Sequence, residues 1–123
     1  MADKPDHRST GQQYESVAKD YLVQQGLLFI EKNFSCRSGE IDLIFRQGET
    51  YVFVEVKYRK TQSYGHPAEF VTASKCKRLV KTAQFWLQKQ GISVYSTELR
   101  FDVVAITGQP RTIDWIKNAV LQG

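Results

Sequence analysis

The sequence predicts an α/β domain, a central mixed sheet flanked by helices, with elements in the order αβββαβ and a short final strand. Three observations lead there. Apolar side chains recur at helical spacing in two segments, residues 11–25 and about 69–90. Between and after them lie runs rich in β-branched and aromatic residues, bounded by turn formers. A length of 123 residues, 41% hydrophobic and 24% charged, fits one domain with a single sizeable core.

In residues 11–25, Tyr14, Val17, Ala18, Tyr21 and Leu22 make an i, i+3, i+4, i+7, i+8 stripe, with Thr10 as N-cap and Gly26 as stop. LLFIEKNF (27–34) reads as the first strand. GEIDLIF (39–45) is the second, with Ile41, Leu43 and Phe45 on one face and Glu40, Asp42 and Ile44 on the other. RQGET signals a hairpin, and TYVFVEVKYR (50–59) is the third strand. There Val52, Val54 and Val56 face away from Phe53, Glu55 and Lys57. KTQSYGHP (60–67) reads as a loop. The second helix, about 69–90, has the stripe Cys76, Leu79, Val80, Ala83, Trp86 and Leu87 and ends at Gly91. TELRFDVVAI (97–106) is the fourth strand and TIDWI (112–116) a short fifth element. Residues 1–10 are expected to be a loose tail and 11–119 a single domain.

Several function classes fall away. No apolar run approaches the ~18 residues of a membrane span. The polar opening MADKPDHRST lacks the apolar stretch of a secretory signal, so a cytoplasmic protein with no membrane partner is expected. Cys36 and Cys76 lie 40 residues apart with no CxxC or Cys/His cluster, and His7 and His66 are too far apart for a His-rich metal site. The net charge of +4 is unevenly spread. Residues 57–81 carry seven basic side chains (Lys57, Arg59, Lys60, Lys75, Lys77, Arg78, Lys81) against Glu69 alone, a surplus of six. Such a region attracts polyanions and steers them toward whatever lies beside it.

The third strand poses a problem: in FVEVKYRK an acid and an amine share one face of a buried-looking strand. Thirteen residues separate Asp42 from Glu55, and a turn near Gly48–Glu49 sets the two opposite each other across the hairpin. Side chains so placed lie about 5 Å apart at Cβ. Two anions at that distance, at an effective dielectric of ~20, repel by about 3 kcal/mol. A domain with ~5–15 kcal/mol of net stability needs that offset. Lys57 supplies part of it, and a divalent cation would supply the rest, since Mg²⁺ takes one or two carboxylates and also binds phosphates. Asp42 and Glu55, with the Val56 carbonyl, are the expected ligands of Mg²⁺ or Mn²⁺. The ion would acidify a water and neutralise phosphate charge, and Lys57 would orient that water or stabilise the transition state. Glu15, at the edge of the first helix's stripe, and Glu40, the next acid back along the second strand, are further candidate ligands. Arg37, Arg59, Lys75 and Arg78 are expected nearest an incoming phosphate backbone, with Lys75 and Arg78 on one helix flank. Tyr58 and Tyr64 are placed where they could stack on a splayed base, but buried or half-buried packing accounts for both better.

Asp42 with Glu55-Val56-Lys57 resembles the PD-(D/E)xK nuclease superfamily, with Ile41 where that motif has proline. The resemblance implies a restriction-endonuclease-like fold, with the Asp on the second strand and the ExK on the third. The blocks GQQYESVAKDYL, NFSCRSGEIDLIF, VFVEVKYR, YGHPAEFV, KCKRLVKTAQFWL and RFDVVAI resemble, over residues 11–119, the YraN-like proteins of bacteria. These are predicted endonuclease-like proteins, similar in fold to archaeal Holliday junction resolvases. In the resolvases a Glu of the first helix joins the metal site, which implies a role for Glu15, and two copies pair to cut two strands, which implies a homodimer. The expected function is a metal-dependent nuclease acting on DNA, branched or structured DNA included. The alternative is a non-catalytic nucleic-acid-binding protein on the same fold; a purely structural salt-bridge network is the remote third.

Overall fold

The computed structural model describes residues 7–60, 73–108 and 111–119, with backbone alone for 7–10. The order is α1 (His7–Gln24), β1 (Leu28–Cys36), β2 (Gly39–Gln47), β3 (Thr50–Arg59), α2 (Ala73–Lys89), β4 (Glu98–Gly108) and β5 (Arg111–Ile116). The strands form one sheet in the order β1-β2-β3-β4-β5. Neighbours are antiparallel except β3 and β4, which are parallel, as a helical crossover between them requires. The expected mixed sheet with two helices is what forms, an arrangement compatible with a restriction-endonuclease-like core.

Each face of the sheet is covered by one helix because each strand sends alternate side chains to opposite sides. On one face Ala18 and Leu22 of α1 pack on Leu43, Phe45, Val52, Val54, Val104 and Ile106. On the other, Leu79, Ala83, Trp86 and Leu87 of α2 pack on Phe34, Ile41, Ile44, Phe53 and Phe101. The split of β3 into a valine face and a Phe53/Glu55/Lys57 face is therefore as the sequence predicts. Trp86 is buried, and its indole N–H donates to Glu31 Oε1 at 3.0 Å, so the largest core side chain keeps its polar atom satisfied. Both helices end in Schellman motifs. Gly26 and Gly91 have φ of +99° and +74°, a region that side chains with a Cβ avoid. The N–H groups of Gly26 and Leu27 donate to the Val23 and Leu22 carbonyls, and those of Gly91 and Ile92 to Gln88 and Leu87.

Four expectations need correction. First, α1 begins at His7, so Thr10 lies within the helix rather than capping it, and the helix runs into the segment expected to be a tail. Second, Ile41 packs with Ile44 against α2 instead of with Leu43 and Phe45 against α1. Asn33 has φ of +56°, and the β1–β2 ladder skips from Lys32↔Leu43 to Phe34↔Ile41, so both strands lose one step of alternation there. Third, Thr82 is buried on α2, where the apolar stripe did not include it; its hydroxyl donates to the Arg78 carbonyl at 2.7 Å, which is how a polar group is tolerated there. Fourth, Arg59 is buried (9% exposed) at the end of β3, so it is not presented to a phosphate backbone as expected. The 60–67 loop beyond residue 60, Tyr64, His66 and the start of the second helix before residue 73 lie outside the described residues.

A buried acid also escaped sequence reasoning. Asp102 is 2% exposed, yet its carboxylate accepts from Arg100 Nε at 3.0 Å, Trp115 Nε1 at 2.8 Å and the Asn118 N–H at 2.8 Å. This ties β4 to β5 and to the chain beyond it. Asp102→Asn keeps the shape but replaces an acceptor oxygen with a donor facing other donors. It is expected to lower unfolding free energy by about 1–3 kcal/mol. Urea denaturation at neutral pH measures this, and an unchanged midpoint would mean the network contributes nothing.

Candidate active site

The β2–β3 hairpin turns through Gly48–Glu49, with Gln47 paired to Thr50 and the ladder running to Leu43↔Val54. Continued by one step, that register sets Asp42 against Glu55, the predicted pairing. The backbone ladder itself ends at Leu43↔Val54, one step short of that pair. The Asp42 side chain fills the gap: its Oδ2 accepts the Val56 N–H at 2.8 Å. A carboxylate thus takes the place of a strand carbonyl where the sheet opens.

Around it lies a cleft of about 320 Å³, lined by Glu40, Asp42, Glu55, Lys75 and Arg78 among others. Glu55 Oε1 receives two ammonium groups, Lys75 Nζ at 2.6 Å and Lys57 Nζ at 3.3 Å. The three side chains are only 18–28% exposed, so these pairs are screened less than surface ones. Glu55 Oε2 is buried without a hydrogen-bond partner among the described residues. A carboxylate oxygen left so is costly and marks a place where a further positive group fits.

The electrostatics follow from this crowding. Burial pushes the Asp42 carboxyl up to about 7; the Val56 N–H works against that, and the nearby Glu55, Glu15 and Glu40 charges add to it. Burial raises Glu15 as well, against a hydrogen bond with Asn33, with Glu40 contributing. Glu15 of the first helix thus lies near enough for its charge to act on Asp42. Burial lowers the Lys57 pKa, and the adjacent Lys75 ammonium lowers it further. Lys75 is held up in spite of burial by its contacts with Glu55.

Asp42, Glu55 and Lys57 come together, Glu15 and Glu40 stand close enough to act on Asp42, and Val56 is tied to it through the backbone. Among the described residues, however, no three His, Cys, Asp or Glu side chains are arranged to hold a metal ion as they stand. Lys75, expected on the phosphate-facing flank, instead points inward onto Glu55, while Arg78 lines the cleft beside it. Arg37 is exposed on the β1–β2 turn. Sequence reasoning missed the inward Lys75; its only signal was a lysine one turn before the apolar Leu79.

These features define a class: an α/β domain with an acid–lysine cleft where a hairpin opens beside a parallel strand pair. Residues 14–106 match the model of the family described as Uncharacterised protein family UPF0102. A UPF0102 protein of Vibrio campbellii is 58% identical over 116 residues, 94% of this chain and 95% of that one. One from Vibrio vulnificus is 55% identical over the same shares, and one from Aliivibrio salmonicida is 51% identical over the full length of both chains. The chain belongs to UPF0102, the YraN-like family. Among the described residues no helix is long and apolar enough to cross a membrane.

Proposed function

We propose that this protein is a metal-dependent nuclease that hydrolyses phosphodiester bonds in DNA, branched or structured DNA included. The observation that supports this best is Asp42 and Glu55 lining one open cleft, with Lys57 paired to Glu55 and Glu55 Oε2 buried and unpartnered among the described residues. A donor set of carboxylate oxygens suits a hard divalent cation. Asp42 and Glu55 would hold Mg²⁺ or Mn²⁺, with the Val56 carbonyl, Glu15 and Glu40 as further ligands. Such an ion supplies charge neutralisation at the phosphate and acidification of water. Lys57 donates to the oxygens on which charge develops, an interaction that strengthens in the transition state. Its lowered pKa also lets it exchange a proton more readily than an ordinary lysine. Arg78 at the cleft wall and Arg37 on the exposed turn position the backbone of the substrate. Two copies acting together would cut two strands.

The second reading is a non-catalytic nucleic-acid-binding protein. It is favoured by Lys75, whose ammonium 2.6 Å from Glu55 already supplies a cation to the cluster. A panel of linear, nicked, flapped and four-way DNA incubated with and without Mn²⁺ separates the two. The nuclease reading expects Mn²⁺-dependent cutting of at least one substrate. Binding without turnover on all of them, with log K falling against log salt at a slope of about −5 for six phosphate contacts, supports the second.

A further inference from the structure

A second cleft, of about 310 Å³, opens on the α1 face of the sheet, lined by Tyr14, Val17, Tyr58, Lys60, Gly108 and Arg111 among others. It lies behind the acid cluster: Lys57 and Tyr58 are consecutive on β3, so their side chains leave opposite faces of the same strand end. Tyr14 and Tyr58 stack with ring centroids 3.9 Å apart and planes 16° from parallel. That stack pins α1 to β3, but it does not use up the aromatic surface, since Tyr58 remains 42% exposed. The backbone is shaped to the ring. A Cβ on Gly108 would come within 2.5 Å of the Tyr58 hydroxyl, so a glycine is what lets Tyr58 lie against β4. Lys60 and Arg111 are both exposed at the cleft. Arg111 stands close enough to oppose the rise that a hydrogen bond with Tyr58 imposes on the Tyr14 hydroxyl pKa.

We propose that this cleft takes an unpaired nucleotide of a nucleic-acid strand, its base extending the Tyr14–Tyr58 stack and its phosphate lying against Lys60 and Arg111. Aromatic platforms beside cationic side chains are how single strands are held without regard to sequence, because every base has a π-face. The volume is at the low end of small-ligand sites, ~300–1,000 Å³. The inference rests in part on the nucleic-acid reading above and deepens it. A strand rounding the end of β3 presents a phosphate to the Asp42/Glu55/Lys57 side and a splayed base to the tyrosine side, which selects substrates with unpaired nucleotides next to the cut.

The test is fluorescence anisotropy with a labelled short oligothymidylate and with a labelled duplex, in the absence of divalent ions. Tyr58→Leu, which keeps apolar bulk but removes the ring, is expected to weaken single-strand binding roughly tenfold or more, the effect of losing one base–aromatic stack. Tyr58→Phe should bind like the wild type, and duplex binding should be the same in all three. Arg111→Gln, on an exposed side chain away from the core, should weaken single-strand binding and lower its salt slope by about 1. Single-strand binding unchanged in both Tyr58→Leu and Arg111→Gln overturns the cleft proposal and leaves the nuclease reading standing. A wild-type protein that binds neither oligonucleotide also overturns the cleft proposal, while the nuclease reading stands or falls on the Mn²⁺ cleavage panel.

Discussion

Replacing Asp42 with asparagine is expected to make the cation-free protein more stable at pH 8, not less. The ordinary value for this carboxyl is 3.8, and in the folded protein it is pushed to about 7, first by burial and then by Glu55, Glu15 and Glu40. A raised carboxyl pKa means the folded state holds a proton that the unfolded chain releases. The resulting stabilisation is fully present below pH 3.8 and is lost as pH rises through about 7. The shift corresponds to about 4 kcal/mol between the two limits, an upper bound because the cleft is open to water. The substituted amide carries no charge at any pH and can still accept the Val56 N–H through its carbonyl oxygen. The difference in unfolding free energy between Asp42→Asn and wild type should therefore grow from pH 4 to pH 8. Mg²⁺ should narrow that gap at pH 8, stabilising the wild type by about 2.7 kcal/mol at a hundred times its Kd and leaving the variant unchanged. Urea melts at several pH values, with and without Mg²⁺, read both effects. Parallel pH profiles for the two proteins would show that Asp42 is not under this pressure.

Lys57→Ala is expected to reduce Mn²⁺-dependent cleavage by about 10²–10³-fold, the usual cost of removing a group that stabilises developing charge, with DNA still bound. Lys75→Ala should behave differently although both lysines touch the same oxygen. Lys75 lies closer to Glu55 and is held charged, so its removal takes a competing cation off the carboxylate. Affinity for Mn²⁺ should rise in Lys75→Ala and stay close to wild type in Lys57→Ala. Cleavage assays and Mn²⁺ titrations on the two variants separate these roles. Equal loss of cleavage in both, with no gain in Mn²⁺ affinity, would contradict the division of labour.

Much of this arrangement is legible in the amino-acid pattern because it follows from short-range rules. Period-two alternation in residues 50–59 places Glu55 and Lys57 on the α2 face. The two-residue turn at Gly48–Glu49 sets a register that, carried one step past Leu43↔Val54, aligns Asp42 with Glu55. The α2 stripe from Leu79 to Leu87 marks the face that packs. What the pattern hides depends on contacts remote in sequence or on a single backbone angle. Asn33 in a left-handed conformation shifts Ile41 to the other face; the clue was an Asn, a residue that tolerates positive φ, inside an otherwise strand-like run. Lys75 turns inward because α2 is laid across the sheet after a crossover, a placement its helical spacing does not encode. Asp102 is buried only because Arg100, Trp115 and the Asn118 N–H gather round it from 2 to 16 residues away.

The central physical claim is that Asp42 and Glu55 form one cation site open to solvent, with Lys57 at its edge. Anomalous diffraction from crystals soaked in Mn²⁺ tests it most directly. The account predicts a peak in contact with both carboxylates, with Lys75 displaced from Glu55. Full Mn²⁺ occupancy elsewhere, with the Lys75–Glu55 ion pair intact and no peak in the cleft, would contradict it.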